Sequence, residues 1–297
     1  MEPAIVDMVE FYLPVLVTAG DFARRIQPQI SSPAQKPGQN PWVQAITDAD
    51  YSVQTFVEVA TLAHFPTAGF FGEEQDQSRN ARYFPPAADT MVWLDPINGT
   101  FLYKNQRPGW DIILSITHRG RLQAAISYMP VRERFYLAVR GHGAFTGDRH
   151  SRQLVTMARL ATAAGSAVCV TYQAPDALAR LRPQWDAFDI VEDDDPQRGF
   201  DNLNDLFTGR LAAYASNSAD LLDWGAMAFI VTQAGGTASG LDGRPFGGFD
   251  DFHLGSSDML VAATPALHSA LLETLRRSAL LRVSSRRSRG PGSRWCR

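Results

Sequence analysis

A short apolar run over residues 90–94 breaks off at Asp95-Pro96-Ile97-Asn98-Gly99-Thr100, and this junction constrains the chain more than any other stretch. The run reads as a strand. Pro96 has no N–H to give to a ladder, so the strand is expected to stop at Asp95, and Gly99 permits a sharp turn. Thr100 follows that glycine at a candidate helix start, where free N–H groups favour an anion. A carboxylate is thus delivered at a strand end beside an anion cradle. Two further acidic positions have the same character. Gly72-Glu73-Glu74 closes the apolar run 67–72, and Asp223 stands near the start of an apolar helical stretch that runs into Gly235-Gly236.

Hard divalent cations such as Mg²⁺ take oxygen ligands, and carboxylates at strand ends can converge on one. Such ions acidify a bound water and neutralise phosphate oxygens, two contributions that phosphate-ester hydrolysis needs. Each signal alone has a bland reading. Gly-Glu-Glu and Asp-Pro are common turns, and an Asp opening a helix is commonly a cap. Their order along the chain is what points to one site.

Around these positions the hydrophobic periods predict a helix over 5–26, bent or restarted near Pro14, then a Pro-rich loop over 27–41. Thr47-Asp48-Ala49-Asp50 is a helix-start signal for a second helix over 51–65. Strands are expected at 112–116, 124–129 and 134–139, with 141–147 closing the first half. The second half reads as strand 167–171, helix 174–181, strand 186–191, an acidic loop 192–195, helices 202–208 and 220–233, strand 257–263 and a last helix 265–277. Mixed strands and helices in two halves imply layers stacked around sheets. The expected organisation is an N-terminal α+β subdomain with the metal site (1–150), a C-terminal α/β subdomain (151–277) and a disordered basic tail (278–297). From Arg276 onward there are eight arginines and no acid, so a net charge of −3 conceals an acidic body.

Other chemistries lack support. No apolar run approaches the roughly 18 residues of a membrane span. No basic face with interleaved aromatics suggests a nucleic-acid partner. The six histidines are scattered, and no HExxH, GxSxG or Walker A pattern occurs. Cys169 and Cys296 make no disulfide framework, which together with the acidic start (Glu2, Asp7) implies a cytoplasmic protein.

The chain resembles the inositol monophosphatase family of lithium-sensitive, metal-dependent sugar phosphatases over roughly residues 5–275. The resemblance rests on Thr47-Asp48-Ala49-Asp50, Gly72-Glu73-Glu74, the hexapeptide Asp95 to Thr100, Gly141-His142-Gly143-Ala144 and Asp223 with Ala234-Gly235-Gly236. It implies a layered αβαβα sandwich of the inositol monophosphatase/fructose bisphosphatase type, in the α+β class, and commonly a homodimer. It implies two to three Mg²⁺ ions, inhibition by Li⁺ and a small phosphate-ester substrate such as inositol monophosphate, a sugar phosphate or a 3′-phosphonucleotide. Carried over position by position, Glu73, Asp95, the Ile97 carbonyl, Asn98 and Asp223 would be metal ligands. Asp50 and Thr100, with Glu73, would serve catalysis by orienting and deprotonating the attacking water. The Gly99 and Thr100 amides would hold phosphate, and Lys36 falls in the loop where the family has a mobile lysine.

Two departures qualify the resemblance. Asn98 replaces the family's second Asp in this hexapeptide, so the second ion is expected to bind more weakly, or the chain to be a phosphate-binding relative with little turnover. Ser216 stands at the substrate position where inositol phosphatases place a ring-reading Glu, which weakens any claim for inositol itself.

Overall fold

The computed structural model describes residues 4–30, 48–155, 167–171, 175–190, 193 and 195–287. Helix α1 (Ile5–Ile26) buries Met8, Tyr12, Leu16, Ala19 and Ala23 along one stripe at three- and four-residue spacing and continues through Pro14. Helix α2 (Asp48–His64) packs beside it, tied by a 2.8 Å hydrogen bond between the Tyr12 and Thr61 hydroxyls.

Both helices cover one face of a seven-stranded sheet of β1 (Gly69–Gly72), β2 (Thr90–Asn98), β3 (Asp111–His118), β4 (Arg121–Met129), β5 (Arg134–Val139), β6 (Gly143–Gly147) and β7 (Arg152–Val155), in that spatial order. Only β1 and β2 run parallel; the rest form an antiparallel meander. Strand alternation divides the core. Val92, Leu94, Ile112, Leu114 and Ile126 face α1 and α2, whereas Ile113, Ala125 and Tyr136 face inward.

The inward face packs on a middle layer containing α5 (Asp205–Thr208) and α6 (Ala226–Gln233), which in turn packs on a five-stranded sheet. That sheet consists of β8 (Ala167–Thr171), β9 (Asp186–Asp189), β10 (Ala213–Asp220), β11 (Thr237–Ser239) and β12 (Ser256–Ala262), ordered β11-β12-β10-β8-β9. Its outer face, with Val168, Val170, Ala213, Ala215 and Leu260, is covered by α4 (Pro175–Leu181) and α7 (Pro265–Arg287). The sequence of layers is α-β-α-β-α, as the family resemblance implies. Helix α3 (Thr100–Lys104) joins β2 to β3.

Several elements depart from expectation. Strand β2 does not stop at Asp95. It skips pairing at Pro96 and Ile97 and resumes at Asn98, opposite Asp111. The first part of the expected helix over 220–233 is a single π-helical turn, Leu221–Gly225, capped by the Asp220 carboxylate accepting from Leu222 N, and the α-helix begins at Ala226. Helix α7 runs to Arg287 instead of ending at Arg277, so the first part of the expected basic tail is helical. Strands β7, β10 and β11 carry little sequence signal. Lys36, Thr47 and residues 288–297 lie outside the described residues.

Candidate active site

Glu73, Asp95, Ile97, Asn98, Gly99, Thr100 and Asp223 all line one cavity of about 220 Å³. Local backbone rules explain how residues so far apart in sequence meet there. Glu73 sits in the turn after β1, where its N–H donates to Leu94 O at 2.9 Å and so extends the parallel pairing by one residue. The preceding Gly72 leaves room for Gln54, since a Cβ there would lie 2.2 Å from Gln54 Oε1 and push it aside. That same oxygen accepts from Glu74 N at 3.0 Å, and Gln54 Nε2 is held by Glu58 at 3.0 Å. Helix α2 thereby fixes the Gly-Glu-Glu turn.

On β2, three residue steps (95 to 98) span the distance that two steps (113 to 111) span on β3. This is a β-bulge. In a regular strand, residues three apart point to opposite faces. The bulge absorbs the odd residue and puts the Asp95 and Asn98 side chains on the same cavity-facing side. Asp95 Oδ1 accepts from Ile97 N at 3.1 Å and stabilises the bulge locally. Gly99 then adopts φ 83°, the left-handed conformation that favours glycine, and α3 begins at Thr100. The Thr100 hydroxyl donates to Ile97 O at 2.9 Å. Asp223 enters from the π-helical turn, and its carboxylate accepts from Trp224 N.

These carboxylates crowd one another. Burial pushes Asp95 well above the usual carboxylate range, and Glu73 and Asp223 beside it push it further. Burial raises Asp223 as well, reinforced by Asp220 and Glu73. Glu73 is raised by burial against the lowering effect of its hydrogen bond to Asp95. Among the described residues, burial is the largest influence on all three. Among the described residues no three carboxylate, imidazole or thiolate groups form a closed cage by themselves. A cation held here would therefore draw on neutral oxygens too, and the Ile97 carbonyl and the Asn98 amide are the neutral oxygens at hand. The donor set is all oxygen, as a hard divalent ion requires.

Two residues of the expected site stand elsewhere. Ser216 is fully buried on β10, where its hydroxyl accepts from Ser218 N at 3.0 Å, and it does not line the cavity. Asp50 is buried in the first turn of α2 and is also absent from the cavity lining. Its negative charge is felt at Tyr103 on α3.

The structure adds residues that the sequence reading passed over. Asp111, wholly buried at the head of β3, accepts from Asn98 Nδ2 at 2.8 Å, Asn202 Nδ2 at 2.9 Å and Asn204 Nδ2 at 2.9 Å, and from the Ser127 hydroxyl. Burial raises its carboxyl to about 6, against the lowering effect of these four bonds. Asn202 also lines the cavity. So does Thr171, whose hydroxyl is buried with no hydrogen-bond partner. The available signal for Asp111 was a lone acid opening an otherwise apolar strand, which is rare without buried partners.

The model of the inositol monophosphatase family matches residues 16–280. The chain belongs to the inositol monophosphatase family. Among its relatives, a Neisseria meningitidis protein named putative Nus factor SuhB is 27% identical over 77% of this chain and 84% of its own length. A histidinol-phosphatase from Streptomyces coelicolor is 32% identical over 51% of this chain and 59% of its own. Among solved structures, an IMPase from Thermotoga maritima superposes with a TM-score of 0.70 at 17% identity, covering 91% of this chain and 97% of that one. That structural likeness shows the shared fold. Among the described residues no helix is long and apolar enough to cross a membrane.

Proposed function

We propose that this family member is a Mg²⁺-dependent phosphomonoesterase acting on a small phosphate ester. The observation that carries the reading is the convergence of Glu73, Asp95 and Asp223 with the Gly99–Thr100 turn on one cavity, where burial and neighbouring carboxylates raise Asp95 and Asp223. In it, Glu73, Asp95, Asp223, the Ile97 carbonyl and the Asn98 amide oxygen hold the ions. When bound, Mg²⁺ neutralises phosphate oxygens and acidifies water. The Gly99 and Thr100 amides take the phosphate. Thr100 orients the attacking water, and the buried Asp50, which does not line the cavity, acts on it only indirectly. The unpartnered Thr171 hydroxyl is a polar group on the cavity wall for the alcohol part of the ester. Family likeness also supports a homodimer, which light scattering would read directly.

Phosphate release from a panel of inositol, sugar and 3′-nucleotide monophosphates, measured across a Mg²⁺ titration, tests this. Release that needs Mg²⁺, is inhibited by Li⁺ and vanishes in Asp95→Asn is the expected result. No release from any ester by Mg²⁺-loaded protein would overturn it. A second reading has its own support, since a relative covering most of this chain is named a Nus factor and not a phosphatase. On that reading the chain binds phosphate at the same cavity without turnover, and phosphate binding without release would favour it.

A further inference from the structure

The loss of a carboxylate at position 98 invites the view that the second metal position is simply weakened. The hydrogen bonds around Asn98 say otherwise. Its cross-strand partner is Asp111, and the two side chains meet at 2.8 Å. An ionised carboxylate can only accept, so the Asn98 amide must present its NH₂ to Asp111. The amide is planar, which turns Oδ1 away from Asp111, and Asn98 is one of the residues that line the cavity. No donor among the described residues engages that oxygen.

Asp111 cannot turn away to release it. Asn202 and Asn204 donate to its two oxygens from the segment preceding α5, and Ser127 donates from β4. That segment is itself pinned. Gly109 lies so close that a Cβ there would stand 2.3 Å from Asp201 O, the Arg132 guanidinium holds Asp201 at 2.6 Å, and Asp201 N donates to Asp205 at 2.8 Å. The negative charge of Asp111 is felt at Asp95 across the strand pair.

From this we infer that Asp111 is the positioning residue of the metal centre. It fixes the Asn98 amide with its oxygen toward the cavity and supplies, one position across the ladder, the negative charge that residue 98 lacks. The inference rests on the metal-dependent reading of the cavity and assigns a part of it to residues that no ligand role covers. Outer partners that orient a ligand in this way are worth roughly ten- to a hundred-fold in metal affinity. A corollary concerns the obvious repair. Asn98→Asp puts a carboxylate against the Asp111 carboxylate at hydrogen-bond distance, so it does not tighten metal binding by itself. Combined with Asp111→Asn, it moves the charge to position 98 and restores a donor–acceptor pair.

The test is Mg²⁺ binding to the full chain without substrate, by calorimetry and by competition with Mn²⁺ followed by electron paramagnetic resonance. Circular dichroism establishes that each variant is folded. The expected order of affinity is wild type and Asn98→Asp/Asp111→Asn together, with Asp111→Asn and Asn98→Asp each at least ten-fold weaker. A folded Asp111→Asn that binds Mg²⁺ as wild type does, or an Asn98→Asp that binds it more tightly, overturns the assignment. If Asp111→Asn does not fold, the double variant decides: affinity no better than Asn98→Asp alone overturns it. The outcome is separable from that of the phosphatase assay. Mg²⁺ affinity that follows Asp111 in a protein releasing no phosphate keeps the positioning role and discards the enzyme, and the reverse pattern does the opposite.

Discussion

Two buried acidic assemblies lie a few residues apart on the same strand pair, and they are built on opposite principles. Around Asp111, one carboxylate meets three amides and a hydroxyl. Around Asp95, Glu73 is within hydrogen-bonding reach and Asp223 adds its charge, and the described residues supply a few backbone N–H groups. Burying a charge is tolerated only when something compensates it. The first assembly carries its compensation within the fold and acts as part of the core. The second finds less compensation among the described residues, and on the proposed function a divalent cation supplies the rest. The contrast teaches that burial and acidity alone do not mark a metal centre; the local supply of donors does.

The contrast predicts effects of opposite sign. Asp111→Ala takes the acceptor from three buried donors, Ser127, Asn202 and Asn204, and from the half-buried Asn98, and at roughly 1–3 kcal/mol per stranded donor chemical denaturation is expected to show a loss of about 3–5 kcal/mol. A loss below about 1 kcal/mol would mean that the donors find other partners and that the assembly is not structural. Next in size is the response to metal. At a hundred-fold excess over its dissociation constant, Mg²⁺ should stabilise the wild-type chain by about 2.7 kcal/mol. A thermal melt with and without EDTA reads this directly, and an unchanged midpoint would erase the distinction between the two assemblies. Smallest is Asp95→Asn, which removes one of the crowded charges. The metal-free protein should become more stable by about 0.5–2 kcal/mol while losing its Mg²⁺ response, a trade common where function and stability conflict. Destabilisation there would place Asp95 in the same class as Asp111.

Much of this was legible in the sequence because local rules dictate it. Helix α1 follows its apolar stripe to the residue, and β5 and β8 fall where alternation and apolar runs put them. The metal-candidate positions were legible because turn chemistry and carboxylates coincide at Gly72-Glu73-Glu74 and at the hexapeptide. What escaped was set by tertiary context. Strand β10 is rich in Ala and Ser, which have little preference for extended structure, and it owes its conformation to pairing with β8 on one side and β12 on the other. The continuation of β2 past Pro96 depends on a bulge, and a residue with no N–H is tolerated there because the ladder skips it. Asp111 was hidden for a related reason: its partners come from positions 98, 127, 202 and 204, and no local pattern links them.

The bulge also bears on how far this hexapeptide can travel. Read as a string, Asp-Pro-Ile-Asn-Gly-Thr looks like a self-contained cassette that could be grafted onto any strand end. The parity shift at Pro96–Ile97 makes it half of a two-part device, whose other half is the neighbouring strand beginning at Asp111. Transplanted without that neighbour, the same six residues would have nothing to hold the odd residue out of phase, and Asp95 and Asn98 would face opposite ways. The unit that can be moved between proteins is the strand pair.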